Sequence, residues 1–231
     1  MSLGDNLGPY GPVSGSVPVA AGPEVALQFQ GDKPPSIFSI AYYRPYFDVD
    51  TSDVLERILE TFIPFRSTFN EKTSAQPDMY GPFWICTTLI FLSSALGNIA
   101  NYLSSEEKTW HLDISNVSRS TGIFYGYVGV VPLVLFAVLK YFGMSSGLVQ
   151  LWCMYGYSLF IYIPCTFISV VPKELVRWIA LGTSAAFSTW FLATNMRAHV
   201  KQTSERWVLI VLAAMCLHTA LAFLLKLFFF V

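Results

Sequence analysis

Charge is scarce in this sequence. Only 13% of its 231 residues are Asp, Glu, Lys or Arg, against 54% hydrophobic and 16% aromatic, which excludes an ordinary soluble domain. The net charge of −1 also excludes the basic field that would make nucleic acid a natural partner. Cysteine is sparse. Cys86, Cys153, Cys165 and Cys216 fall inside apolar runs, none in a CxxC or other metal-ligand spacing, so they read as small core residues and no metal site is indicated. Met1 to Gly22 lacks the basic start and apolar core of a cleavable signal peptide, and there is no myristoylation signal at Met1-Ser2 or CaaX box at Phe228 to Val231; insertion is expected to use internal segments. No GxSxG, HExxH, P-loop or GxGxxG occurs in its supporting context, so no enzyme and no cofactor are expected.

What is present is an apolar half that begins at a definable point. Asp78-Met79-Tyr80-Gly81-Pro82 separates a polar, acidic N-terminal part from a chain that is apolar from Phe83 to Val231. Asp78 is the last charge before a long charge-free run, Tyr80 is an interface-seeking aromatic, Gly81 allows unusual backbone angles and Pro82 can open a helix. The pentapeptide reads as a boundary between two solvents. Beyond it, Lys and Arg bound five apolar stretches, since a charge near the bilayer centre costs roughly 2.5–3.5 kcal/mol on insertion scales. The expected spans are about 83–103, 120–141, 147–171, 177–195 and 207–229, each able to supply the ~20 residues that cross a bilayer. Gly143 to Ser146 is expected to turn between the second and third. The fold class expected is an all-α integral membrane protein, a five-helix bundle.

The N-terminal part divides in two. Residues 1–36 are dominated by Gly and Pro and read as disordered. Residues 37–82 form an aromatic and amphipathic segment. Phe38, Tyr42, Tyr43, Tyr46 and Phe47 cluster around Arg44-Pro45 in a stretch expected to be extended, suited to a partner, to lipid headgroups or to the protein's own membrane half. Val54, Leu55, Ile58, Leu59 and Phe62 then fall on one helical face. Asp53 and Glu56 have capping-box spacing, Glu56, Arg57 and Glu60 occupy the opposite face, and Pro64 is expected to stop the helix. That pattern predicts a helix whose apolar stripe packs on a protein surface or lies in the membrane interface. Residues 1–82 carry ten acidic and five basic side chains, the balance of an acidic arm.

With the N-terminus in the cytosol, six Lys and Arg near the spans fall on the cytosolic side and five on the lumenal side, a small excess in the direction of the positive-inside rule. The sequon Asn116-Val117-Ser118 then lies in a lumenal loop, too near the second span to favour modification. Within the spans, Gly122 with Gly126, Gly182 with Ala186 and Ser184 with Ser188 have the spacing that lets helices approach. Asn98, Asn101, Pro132 and Pro164 are expected to make interhelical hydrogen bonds or kinks. His218 is the one titratable group near the middle of a span, most simply a structural hydrogen bond, and Lys226 can snorkel to the interface.

A second motif gives the first its meaning. Gly156-Tyr157-Ser158-Leu159-Phe160-Ile161-Tyr162-Ile163-Pro164, together with Asp78 to Pro82, resembles the paired D-L-Y-G-P and G-Y-x-L-x-x-x-I-P signature of the Yip (YIPF) family, with Met79 where that family usually has Leu. Tyr46 to Thr51 and the helix after it resemble the lead-in of the YIPF subgroup, and the likeness runs from about Ala41 to Val231. It implies a five-span Golgi and ER membrane protein with a cytosolic N-terminus and lumenal C-terminus. The resemblance further implies a non-enzymatic adaptor in vesicle-mediated transport, with Rab/Ypt GTPases and Yip-type or Yif-type membrane proteins as partners. The motif positions carried over are Asp78, Met79, Tyr80, Gly81 and Pro82, and Gly156, Tyr157, Leu159, Ile163 and Pro164. They are expected to form a polar and aromatic knot at the mouth of the first span beside a kinked third helix, with Gly156 at mid-bilayer depth. The alternative function is a lipid or small-solute translocator whose kinks at Pro132 and Pro164 border a groove containing His218.

Overall fold

In a computed structural model of the protein, residues 38–63, 68–104, 111–143, 147–200 and 207–229 are described, and the secondary structure among them is helical. A short α1 (Ile40–Tyr43) and a 3-10 turn (Arg44–Tyr46) precede α2 (Thr51–Phe62) and α3 (Thr68–Ala75). The bundle follows: α4 (Tyr80–Ser104), α5 (Ser115–Tyr141), α6 (Leu148–Ser158), α7 (Tyr162–Ile168), α8 (Glu174–Val200) and α9 (Trp207–Phe229). The tail 1–36, Pro64 and Met144 to Ser146 lie outside the described residues.

Four stretches are long and apolar enough to cross a membrane: Tyr80–Ser104, Ser115–Tyr141, Leu148–Ile168 and Val208–Phe229. Helix α8, at 27 residues, has the length, but the Ser, Thr and Asn along it keep its hydropathy below theirs. The expected third span, 147–171, is two helices and not one. Pro164 has no N–H, and its ring crowds the carbonyl of Phe160 one turn earlier. The chain accommodates it with i to i+3 bonds, from Tyr162 N–H to the Leu159 carbonyl and from Ile163 N–H to the Phe160 carbonyl, both at 3.0 Å. By contrast, α5 runs uninterrupted through Pro132.

The break leaves backbone carbonyls without helical partners in an apolar interior, where an unpaired polar group costs several kcal/mol. Side-chain hydroxyls take them up. Ser158 donates to the Tyr155 carbonyl at 2.6 Å, and Ser188 on α8 donates to the Ser158 carbonyl. A hydroxyl has one proton, so Ser188 can only accept from the ring of His218, whose Nε2 lies 2.5 Å away. His218 Nδ1 then accepts from the Tyr127 hydroxyl at 2.6 Å. One neutral tautomer satisfies the whole relay, and it ties the break to α8, α9 and α5. His218 is fully buried.

Helix α8 packs chiefly on α9, while α4 packs on α5 and α6. Polar contacts join them where lipid gives no hydrophobic drive. Ser120 bonds Ser93 and Ser94 at 3.1 and 2.9 Å, and Asn98 accepts from the Asp113 N–H at 2.9 Å. At the far end Arg177 reaches the Ser104 hydroxyl and the Ser169 carbonyl. Lys226 is buried along its stem, and its ammonium reaches Glu174, the first residue of α8, at 2.8 Å.

Several expectations are corrected. Gly122, Gly126 and Gly182 have no neighbour within 4 Å of where a Cβ would stand, because α5 and α8 turn those faces outward. Cys216 is exposed, unlike the other three cysteines. The Phe38 to Phe47 stretch is not extended but coiled into α1 and the 3-10 turn, where Tyr42 stacks edge-on against Tyr43 and Tyr46. Asn116 is in the first turn of α5 and 2% exposed, which leaves no room for a glycan.

Removing the Ser188 hydroxyl strands the Ser158 carbonyl and the His218 N–H together. Ser188→Ala is expected to lose roughly 1–3 kcal/mol in detergent unfolding, while Thr194→Ala, whose hydroxyl bonds only within its own helix, stays near the unmodified protein.

Candidate functional site

The Asp78 carboxylate is fully buried, and four groups converge on it. Gly81 N–H donates to Oδ1 at 2.9 Å, closing the first turn of α4. The Tyr157 hydroxyl stands 3.3 and 3.2 Å from the two oxygens, and the Cys153 thiol is 3.6 Å from Oδ2. The counter-charge is Arg57 on α2, whose Nη1 pairs with Oδ2 while Nη2 donates to the Gln76 carbonyl at 2.8 Å. A carboxylate taken out of water needs this saturation, because a lone ion there is unaffordable.

The two motifs meet at this carboxylate by direct contact. A Cβ on Gly81 would fall 2.8 Å from Tyr157 Cε1 and closer still to the hydroxyl end of the ring. A Cβ on Gly156 would stand 2.7 Å from Pro82 Cα. Each motif thus contributes a glycine that admits the other's bulky residue, and α4 and α6 touch backbone to backbone. Gly156 stands level with the first turn of α4, packed on Pro82. Leu159 is fully buried in the break. The remaining motif residues lie outside the joint. Met79 contributes its N–H, which donates to the Tyr46 carbonyl at 2.8 Å and fastens the aromatic turn to the bundle. Tyr80 is exposed beside Trp84, Ile163 is half-buried and Pro164 faces outward on α7.

Arg57 is the residue that sequence reasoning misplaced. Helix α2 was expected to pack its apolar stripe on a protein surface or lay it in the membrane interface, with Glu56, Arg57 and Glu60 on the opposite face; Val54 and Ile58 do pack on the core, but much of the polar face is turned inward as well. Arg57, Glu60 and Thr61 are buried, whereas Leu55, Leu59 and Phe62 are 55%, 61% and 41% exposed. Nor is there a capping box: Asp50 is the N-cap residue, and Asp53 N–H donates to its carbonyl. The spacing of Arg57 with Glu60 and Thr61 was the available signal, since i, i+3 and i+4 make a polar stripe as coherent as the apolar one. Helix α3, which lacks a strong stripe of its own, completes the enclosure. Phe69 stacks edge-on against Tyr157 and Phe191, at 5.6 and 4.9 Å between ring centroids. Gln150 donates to Asn70 Oδ1 and Ser74 at 3.0 and 2.6 Å. Lys72 pairs with Glu56 and Glu60, and those two carboxylates hold its ammonium above the ordinary lysine range.

Among the described residues no group of His, Cys, Asp and Glu is arranged to hold a metal. A groove of about 660 Å³ runs between α8 and α9, lined by Leu181, Ala185, Met215 and Phe223 among others, and by none of Pro132, Pro164 and His218. Asp78 is enclosed, whereas this groove and the aromatic turn are open surfaces. Around that turn Ile40, Tyr43, Arg44, Phe47 and Asp48 enclose a cleft of about 470 Å³.

Comparison with known proteins gives the chain its relatives. The Yip1 domain matches residues 59–226. Protein YIPF1 homolog of Dictyostelium discoideum is 36% identical over 201 residues, 86% of this chain and 58% of the relative. The chain thus spans rather more than half of that protein. Protein YIP5 of Schizosaccharomyces pombe is 28% identical over 195 residues, covering 80% of this chain and 78% of the relative. Protein YIP5 of Saccharomyces cerevisiae is 25% identical over 219 residues, covering 83% and 70%. No solved structure matches.

Two substitutions separate a joint from a simple helix cap. Asp78→Asn preserves the acceptor for Gly81 but leaves Arg57 buried without its counter-charge, and is expected to lose about 3–5 kcal/mol in detergent unfolding; a pure cap would tolerate the amide. Gly156→Ala is expected to lose about 1–3 kcal/mol through overpacking against Pro82, with the thermal midpoint as readout, whereas Gly122→Ala on an open helix face should be neutral or mildly stabilising.

Proposed function

The chain belongs to the Yip1 domain family, and from that premise we propose that it is a non-enzymatic membrane adaptor in vesicle-mediated transport at the Golgi and ER. In this reading α4, α5, α6 with α7, α8 and α9 are five spans, the N-terminus is cytosolic and the C-terminus lumenal. The protein resides in Golgi membranes and cycles through the ER. Its partners are Rab/Ypt GTPases and other Yip-type or Yif-type membrane proteins.

The observation that carries the reading is the aromatic turn. Phe38 and Ile40 are 92% and 87% exposed, Tyr43 and Phe47 flank the cleft beside them, and the backbone bond from Met79 holds that surface in fixed relation to the bundle. Exposed aromatic anchors with one cation and one anion at the rim are the composition of a protein-binding patch. The translocator alternative has less in its favour, since both ring nitrogens of His218 are occupied within the core.

The test is to alter the patch without touching α2. Phe38→Asp with Ile40→Asp in the full chain should abolish co-purification of prenylated small GTPases while leaving insertion and the thermal midpoint unchanged. Undiminished GTPase recovery would reject this surface as the binding site.

A further inference from the structure

We propose that the groove between α8 and α9 holds an acyl chain of an anionic glycerophospholipid, with the lipid's phosphate at Arg197 and its glycerol ester at Thr189. The proposal needs α8 to lie in the membrane beside α9, as in the reading above, and involves no GTPase.

The groove is shaped for a chain. Its floor on α8 is made of small residues: Gly182 and Ala186 are exposed, and a Cβ on Gly182 would meet nothing within 4 Å. At one end Trp178 of α8 and Phe223 of α9 meet edge-on across it, with 6.0 Å between ring centroids. Lys226, paired with Glu174, lies 5.4 Å from the centre of the same Trp178 ring. That end is closed. From Thr189 down to Trp178 the helix falls by roughly 16 Å at 1.5 Å per residue, close to the ~15 Å that a chain reaches in one leaflet of a ~30 Å core. A transmembrane helix, about 10 Å across, could follow the groove further only by parting the aromatic pair.

The polar groups also point to a lipid. Thr189 lines the groove and is 7% exposed. The other threonines of these two helices, Thr183, Thr194 and Thr219, each donate to the carbonyl one turn back. The Thr189 hydroxyl has no hydrogen-bond partner among the described residues. An unpaired hydroxyl in an apolar groove is costly, and a phospholipid offers ester oxygens only beside its headgroup. Thr189 stands at that depth. Its neighbour Ser188 bonds the Ser158 carbonyl, and Gly156, less than a turn before Ser158, packs on Pro82, where the charge-free run of α4 begins. Trp190, 54% exposed beside it, is a side chain that favours the same boundary.

Charge selects the headgroup. The ionisable residues along the groove are Arg197 and Lys226, with no acidic side chain in its lining. Glu174 matches Lys226 at the closed end, so the exposed Arg197 sets the preference at the open mouth. It lies about 12 Å along the axis from Thr189, a gap that an arginine side chain and a glycerophosphate close together. Guanidinium and phosphate then pair by charge-assisted hydrogen bonds.

The full chain, purified in detergent, is titrated with dioleoylphosphatidylserine or dioleoylphosphatidylcholine while native mass spectrometry counts bound lipid and protein copies. Phosphatidylserine should be retained in preference to phosphatidylcholine. Arg197→Gln should abolish that preference with phosphatidylcholine binding intact, and Thr189→Val should weaken both roughly fivefold, the effect of one net hydrogen bond. Gly182→Leu with Ala186→Leu fills the floor and should remove both lipids. Equal binding of the two lipids by the unmodified chain, a preference that survives Arg197→Gln, or undiminished binding by the filled variant would each overturn the proposal. So would a filled variant that loses a second protein copy and keeps its lipid, which assigns the groove to another chain. Recovery of small GTPases should be the same in all of these variants, so the result stands apart from the adaptor reading.

Discussion

An ionised carboxylate enclosed by apolar helices is the constraint from which the rest of the molecule follows. Asp78 is fully buried at the mouth of the first span, and a charge so placed persists only with its hydrogen bonds filled and its counter-ion at hand. Supplying the counter-ion requires α2 to lie against the bundle with Arg57 inward. Supplying the remaining donors requires α6 to present Cys153 and Tyr157 to the start of α4. For the Tyr157 ring to reach that position, the backbone beneath it must be glycine at 81, and for α6 to come so near, it must be glycine at 156. The two motifs are halves of one joint, and the N-terminal segment is its third part.

The same rule governs the centre of the bundle. Lipid tails give helices no hydrophobic reason to associate, so polar groups with limited alternatives do the joining. The break before Pro164 creates such groups, and the relay from Ser158 through Ser188 and His218 to Tyr127 uses them to connect four helices. A residue type that invites a functional reading, an intramembrane histidine, is in this case the stitch that makes a broken helix tolerable.

What the sequence made legible divides along physical lines. The positions of the apolar stretches were readable because spanning a bilayer is a requirement on composition over ~20 residues, and α4, α5 and α9 fall where they were expected. The motifs were readable as paired signatures. Their nearness was expected, but not the residues that touch, since Asp78 and Tyr157 are distant in the chain and neither motif says which of its side chains meets the other. The small-residue pairs failed for a related reason: spacing says that Gly122 and Gly126 share a face, but not that another helix covers it. Periodicity gave α2 its two faces, but not that the bundle would bury Arg57 and Glu60 from the polar one while leaving Leu55 and Leu59 outside.

That burial bears on where the domain begins. The Yip1 domain match starts at residue 59, inside α2 and two residues after Arg57, while Asp78 lies well within it. A unit cut at that boundary keeps the carboxylate and discards its counter-charge. Physically the domain must include α2 from Thr51, and the bond from Met79 to the Tyr46 carbonyl extends it to the aromatic turn. A sequence profile weights each position alone, whereas a buried ion pair makes two positions one. The smallest piece able to hold its own charge is therefore larger than the piece that resemblance detects.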